Sequence, residues 1–135
     1  MRAAVLGGTG FMGSNFVRYL IKNYNGIKVL VYDKLTYAGR LENLHDVINN
    51  PGLRFVKGDI GNEELLEHVF KEFNPDIIIN FAAETHVDRS INEPSPFLKT
   101  NVMGVFTVLE VIRKLGIKRY IHISTDEVYG DLWGI

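Results

Sequence analysis

The chain has no cysteine among its 135 residues, which excludes a disulfide framework and any thiolate metal site. It also lacks an excess of charge of either sign. Fifteen Lys and Arg stand against sixteen Asp and Glu, interspersed, so no basic stripe is available for a nucleic-acid backbone. No apolar run is long enough to span a membrane, and the first residues lack the charged, apolar and small-residue order of a signal peptide. Together these absences predict a cytoplasmic protein with neither nucleic-acid nor membrane partners. There are no repeats, low-complexity segments or linkers. With 46% hydrophobic and 23% charged residues, the composition is that of one soluble globular domain with a real core.

What is present is a regular alternation. Strand-like runs at 2–6, 27–32, 53–57, 76–81 and 119–123 alternate with helical patterns at 11–24, 63–73 and 96–115, and a weaker one at 40–49. That order predicts an α/β fold, a doubly wound parallel sheet of Rossmann type with helices on both faces. The expected strand order is 3-2-1-4-5, with a ligand crossing the switch point between strands 1 and 4. The strands are continuously apolar, as in Asp76-Ile77-Ile78-Ile79-Asn80-Phe81, which suits burial on both sides. Asn62 before Glu63-Glu64 and Ser95 before Pro96 read as helix caps.

The first strand runs into Gly7-Gly8-Thr9-Gly10-Phe11-Met12-Gly13 and then a helix. Gly7 suits a tight turn, Gly10 lets backbone approach a pyrophosphate, and Gly13 permits close helix packing, while the helix N-terminus offers free N–H groups to an anion. The second strand ends in Asp33, twenty residues beyond Gly13, where a carboxylate can accept from a ribose diol and repel the extra phosphate of NADP. NAD is therefore the expected cofactor. Lys34 reads as a solvated turn lysine that offsets little of that repulsion. At the carboxyl ends of strands 3 and 4, Asp59 is a candidate acceptor for an adenine amine and Ile60 a candidate to pack on the ring. Ala82 and Ala83 are small enough for close cofactor approach. Thr85-x-x-Asp88 also fits a capping box, so Thr85 can equally start a short helix.

After the fifth strand come Ser124-Thr125-Asp126-Glu127, a hydroxyl-bearing pair followed by two adjacent carboxyls at the ligand-binding edge of the sheet. Adjacent carboxyls in different environments can divide the tasks of acid and base. Ser124-x-x-Glu127 fits a capping box equally well. Of the histidines, His45 and His68 read as surface or packing residues, His122 as a satisfied core residue, and His86 as a possible polar contact to substrate. No pair has metal-ligand spacing with a matching carboxylate, so no metal is expected.

These residues resemble the extended short-chain dehydrogenase/reductases, and among them the nucleotide-sugar 4,6-dehydratases. The resemblance runs from Met1 to Leu132. It rests on the glycine block through Ser14, on Tyr32-Asp33-Lys34-Leu35-Thr36-Tyr37-Ala38-Gly39, and on Ala82-Ala83-Glu84-Thr85-His86-Val87-Asp88-Arg89-Ser90-Ile91. Thr100-Asn101-Val102 and Ile123-Ser124-Thr125-Asp126-Glu127-Val128-Tyr129-Gly130 complete it. The resemblance implies a redox-neutral elimination on a nucleotide sugar, with dTDP-glucose the expected substrate. NAD⁺ takes a hydride from C4, the resulting ketone acidifies the C5 proton, water leaves from C6, and the hydride returns to C6.

By the same resemblance Thr125 would bind the C4 oxygen, Asp126 would protonate the departing hydroxyl, and Glu127 would take the C5 proton. Phe11, Met12, Asp33, Lys34, Leu35, Thr36, Asp59, Ile60, Phe81, Ala82, Ala83, Glu84, Thr85 and Thr100 would line the NAD site, Thr85 also touching substrate. A homodimer packed through long helices is implied too, although the stretch from Phe97 to Ile112 is apolar around more than one face.

The family's hydride step needs a Tyr-x-x-x-Lys pair after strand 5. Here that spacing occurs only at Tyr24 and Lys28, in the turn entering strand 2 and at the wrong edge of the sheet. The reading is therefore an NAD-binding domain over 1–135, truncated before the substrate lobe, with the dehydration pair but not the oxidation base. An epimerase or decarboxylase on the same scaffold, or a nucleotide-binding module without catalysis, are the competing readings.

Overall fold

The computed structural model describes residues 1–130. Leu132 and Ile135, where the family resemblance and the expected domain end, lie outside the described residues. Strands β1 (Arg2–Leu6), β2 (Lys28–Asp33), β3 (Leu53–Lys57), β4 (Ile77–Asn80) and β5 (Tyr120–His122) form one parallel sheet in the order β3-β2-β1-β4-β5. The expected doubly wound architecture is thus the one adopted. Leu6 pairs with Tyr32 on one side and Asn80 on the other, Asp33 with Lys57, and Asn80 with His122. All five carboxyl ends therefore open onto one edge.

Helices α1 (Phe11–Asn23), α2 (Glu63–Phe73) and α5 (Val105–Leu115) cover the faces. On one side Ala4, Leu6, Leu30, Tyr32 and Ile78 pack against Leu66, Val69 and Phe70 of α2 and Val108 and Val111 of α5. On the other, Ala3, Val5, Val29, Val31 and Ile79 meet Val17 and Leu20 of α1 with Leu44 and Val47. The central strands β1, β2 and β4 send alternate side chains to opposite layers, which is why their interiors are apolar without a break. Asn62 caps α2 by accepting from the Leu65 N–H at 3.1 Å, and Asn74 ends it in the left-handed conformation. The Glu67 carboxylate takes both Lys71 of its own helix and Lys114 of α5, tying the two helices together.

Several local expectations are revised. The weak helical pattern at 40–49 forms only a 3-10 turn, Leu41–Leu44. The pattern at 96–115 is not one α-helix: a short turn α4 (Ser95–Phe97) leads into a π-helical segment Leu98–Gly104 and then α5. Ser95 is no cap, because Pro94 occupies that position and no side chain bonds there. A further short helix, α3 (Val87–Asn92), starts from His86, and Thr85 does not cap it. β5 is not buried on both sides: Ile121 is 46% and Ile123 40% exposed, and His122 is exposed rather than in the core. β5 is one of the two edge strands of the sheet, pairing with β4 alone.

Among the glycines the bare backbone matters most at Gly13. A Cβ there would lie 2.2 Å from the Gly7 carbonyl oxygen and 2.9 Å from Gly8 Cα, whereas a Cβ at Gly10 would find its nearest neighbour at 3.5 Å. Gly13→Ala is therefore expected to cost about 1–3 kcal/mol through backbone displacement. Gly10→Ala should cost no more than about 1 kcal/mol, as a weakened N-cap. Equal urea midpoints for the two variants would refute this packing account.

Candidate functional site

The turns leaving β1, β2, β3, β4 and β5 enclose two adjoining hollows that share Phe81, Ala82, Ala83 and Glu84 in their walls. The first, about 90 Å³, lies between the glycine turn, the Asp33–Gly39 loop, Gly58–Ile60 and Thr100. The second, about 520 Å³, opens between Met12, the Phe81–Thr85 segment, Phe97, Asn101 and the His122–Glu127 segment. One crevice thus crosses the sheet edge from β3 to β5 and passes over the β1–β4 switch point.

Gly7 has φ +71, and an added Cβ would meet Ala82 N at 2.6 Å, so the turns after β1 and β4 run in backbone contact. Asp33 is 9% exposed, and its carboxylate accepts the Thr9 N–H through Oδ2 and the Leu35 N–H through Oδ1, each at 2.9 Å. One bond to each oxygen leaves each with further acceptor capacity, and Asp33 lines the first hollow. Leu35 has φ +58, a strained left-handed conformation, and Thr36, Ala38 and Gly39 after it line the first hollow. The Thr9 hydroxyl is buried without a hydrogen-bond partner, and Gly39 lies so close that a Cβ there would fall 2.5 Å from it.

Lys34 is not a free turn lysine. Its Nζ pairs with Asp59 Oδ2 at 2.6 Å, while Asp59 Oδ1 accepts the Gly61 N–H at 2.8 Å. Burial pushes the Asp59 carboxyl up, but Lys34 and the Gly61 N–H outweigh it and hold the group below its ordinary value. Asp59 is thus both a turn residue and half of an ion pair on the crevice wall. Its carbonyl accepts the Tyr32 hydroxyl at 2.9 Å, and burial together with the Asp59 charge pushes that phenol up to about 12. Ile60 is 4% exposed and nests against Gly104, where a Cβ would meet its side chain at 2.7 Å.

At the other end, Thr125 caps the 3-10 turn Asp126–Tyr129: its Oγ1 accepts the Glu127 N–H at 3.3 Å and donates to Asp126 Oδ1 at 3.2 Å. The capping role suggested for Ser124 therefore belongs to Thr125. Thr125 and Glu127 line the larger hollow, as do Thr85 and Met12. Asp126 does not, and neither Phe11, Gly13 nor Leu35 lines either hollow. Phe11 is 79% exposed at the start of α1, and Gly13 serves helix packing. His86 stands edge-on to Tyr37, with ring centroids 6.4 Å apart. Tyr24, packed edge-on against Tyr19, lies with Lys28 at the amino ends of the strands, across the sheet from the crevice.

Two residues of the site carried no functional expectation. Asn80 is fully buried at the end of β4; its Oδ1 accepts the Ala82 N–H at 2.9 Å, and its Nδ2 lies 3.3 Å from both the Tyr120 hydroxyl and His122 Nδ1. Burial raises the Tyr120 phenol, and the Asn80 contact partly opposes it. Asn101, in the π-helical segment, clamps Glu84 by accepting its N–H and donating to its carbonyl, both at 2.8 Å. The wide turn brings consecutive residues to one crevice, Thr100 to the first hollow and Asn101 to the second. An amide inside an apolar strand or mid-helix is the signal that marks both, since neither site favours asparagine without a partner.

Asn101→Ala should release the Glu84 backbone. Hydrogen exchange at the Glu84 amide is expected to quicken roughly tenfold, about 1.4 kcal/mol of local protection, with Val108 in α5 unchanged. Unaltered exchange at Glu84 would show that the clamp contributes nothing.

Comparison with known proteins agrees with this geometry. A family model described as GDP-mannose 4,6 dehydratase matches residues 4–134. A dTDP-glucose 4,6-dehydratase of Mycobacterium tuberculosis is 49% identical over 132 residues, covering 98% of this chain and 38% of that protein. The NAD-bound crystal structure of a dTDP-glucose 4,6-dehydratase from Streptomyces venezuelae superposes with a TM-score of 0.92 at 47% identity, over 98% of this chain and 42% of its own. A UDP-glucose 4-epimerase from Thermotoga maritima follows at 0.82 and 38% identity, over 93% of this chain and 38% of its own. The chain thus spans about two-fifths of the length of these relatives. With its sheet order, its glycine turn and nearly its whole length accounted for, the chain belongs to the GDP-mannose 4,6-dehydratase family.

Proposed function

We propose that this chain supplies the NAD site and the dehydration residues of a nucleotide-sugar 4,6-dehydratase, which converts dTDP-glucose to its 4-keto-6-deoxy product. The observation that carries the reading is a single crevice with the Gly7–Gly10 turn and Asp33 at one end and Thr125 and Glu127 at the other. The residues fit a dinucleotide. Gly10 has no atom closer than 3.5 Å to where a side chain would begin, and Asp33 keeps an open lone pair on each oxygen for a ribose diol. Asp59, Ile60, Thr36 and Thr100 would hold the adenosine half, and Phe81 to Thr85 would flank the rest. When bound, NAD⁺ supplies the hydride acceptor and, once reduced, the donor that returns it.

In this reading Thr125 holds the C4 oxygen and Glu127 accepts the C5 proton from the wall of the larger hollow, and Asp126, which lines neither hollow, is given the protonation of the leaving C6 hydroxyl by the family resemblance. The epimerase relative has the same fold, so the fold does not discriminate between the two activities. The carboxyl pair does, because an epimerase eliminates no water. Among the described residues the one Tyr-x-x-x-Lys pair, Tyr24 and Lys28, lies at the edge opposite the crevice. We therefore assign residues 1–135 to the cofactor domain, with the substrate lobe in the additional length that the relatives have. A cytoplasmic location belongs to the same proposal and is open to cell fractionation.

A homodimer is part of it too. In α5 and the π segment Val108 and Val111 face the core, while Leu98, Val102, Met103, Phe106 and Leu109 are 43–60% exposed. That outward stripe recurs every three or four residues, the spacing of a helix-packing face. A second copy of the chain is its expected partner, and a strictly monomeric complete enzyme in sedimentation would overturn it.

Two experiments test the enzymatic reading. Replacing Asp33 with Ala should weaken NAD binding by ~1.5–3 kcal/mol, the scale of a hydrogen bond to a charged group, and relax rejection of NADP. Calorimetry giving the same NADP affinity before and after would remove Asp33 from the ribose site. In the complete enzyme, Glu127→Gln should slow water loss by roughly 10²–10⁴-fold and abolish C5 hydrogen exchange with solvent. Asp126→Asn should slow elimination while retaining that exchange. Undiminished turnover in both variants would reduce the two carboxyls to turn residues.

A further inference from the structure

The crevice has two banks. Along one, Lys34, Thr36, Ala38 and Gly39 line the first hollow; along the other, Ala82, Ala83 and Glu84 do. Tyr37 lies between two lining residues yet lines neither hollow: it sits in a tight turn in which the Gly39 N–H donates to the Thr36 carbonyl at 3.2 Å. Instead it reaches the far bank. The Arg89 guanidinium carbon sits over its ring, 4.1 Å from the centroid, and the His86 ring meets it edge-on. Its hydroxyl is 3.5 Å from Glu84 Oε2, a peripheral contact.

Each bank is anchored separately. Arg40 N–H donates to the Thr9 carbonyl at 3.2 Å and Leu35 N–H to Asp33 Oδ1 at 2.9 Å; Asn101 holds Glu84 on the other side. Tyr37 is 46% exposed and belongs to neither core cluster, so it is ordered by its contacts with Arg89 and His86 and not by burial. A cation–π contact at such a site is weak enough to break and remake thermally, without unfolding either bank.

We propose that Tyr37 and Arg89 form a strap across the cofactor crevice that retains NAD(H) during turnover, an inference that rests on the dinucleotide reading above. The chemistry calls for such a device. A redox-neutral elimination takes a hydride and returns it within one turnover, so a reduced cofactor that escaped between the two transfers would strand a keto intermediate. Tyr37 and Arg89 are positioning residues here and touch no reacting atom.

The test is the dissociation rate of NADH from the complete enzyme, followed by the loss of its bound fluorescence on mixing with excess NAD⁺. Tyr37→Ala and Arg89→Ala should each release NADH about two- to fivefold faster, the scale of an exposed cation–π contact. Tyr37→Phe, which keeps the ring over the guanidinium, should release at the wild-type rate. The double variant should be no faster than Tyr37→Ala alone, because the Arg89 contact is already lost with the ring. If Tyr37→Ala folds poorly, Arg89→Ala carries the comparison. Wild-type rates in both alanine variants, additive acceleration in the double variant, or acceleration in Tyr37→Phe equal to that of Tyr37→Ala would each overturn the strap and leave the NAD site standing. Failure of the wild-type enzyme to bind NADH at all would overturn the NAD reading, and the strap with it.

Discussion

The structure depends on a place where two backbones touch. Gly7 leaves β1 with φ +71, and the position a Cβ would take lies 2.6 Å from Ala82 N and 2.7 Å from Ala82 Cα, on the chain leaving β4. Any side chain would drive apart the two strands between which the sheet order reverses. Because nothing intervenes, the crevice is floored by main chain. The same closeness recurs at Gly13, whose missing Cβ lets α1 rest on the Gly7 carbonyl and aim its N-terminus across the edge. Asn80 reinforces the arrangement from below by holding the Ala82 N–H.

Around this floor, side-chain polar groups fix loops that have no secondary structure to stabilise them. Asp33 ties the glycine turn to the loop after β2, Asp59 turns its own backbone and captures Lys34, and Asn101 stitches the π-helical segment to the chain after β4. Each crevice loop is therefore held through one or two side chains, and the sheet itself is left undisturbed. Loops held in this way keep their shape while their surfaces stay open to a ligand. The strap between Tyr37 and Arg89 is of another kind, since it joins banks that are already stable and can open at little cost.

Much of the fold was legible in the residues. Unbroken apolar runs, the glycine turn and the Asn62 cap mark elements whose determinants are local, and α2 begins and ends at the expected residues. The roles of Gly7 and Gly13 were legible because so few conformations permit a strand to turn directly into a helix. Less legible was the long helical pattern ending at Leu115. Its periodicity is compatible with a continuous helix, whereas the π-helical stretch places Thr100 on the first hollow and lets Asn101 bond the Glu84 backbone. Likewise the spacing after β5 points to Ser124 as the cap, whereas the turn that forms starts one residue later and is capped by Thr125.

The amino-acid sequence by itself determined the parallel sheet, its strand order, the ligand-binding edge and the acid that faces the crevice, because these follow from periodicity, glycine placement and short-range spacing. Only the tertiary structure decided what that edge contains. The Asn101 clamp joins residues seventeen apart and the Asn80 contacts reach residues forty and forty-two apart. The Lys34–Asp59 pair and the Tyr37–Arg89 contact likewise join loops from different strands. The physical reason is one of range. Backbone propensity acts over a few residues, whereas partners for buried or bridging polar groups are chosen by whichever loops the assembled sheet brings within about 3 Å.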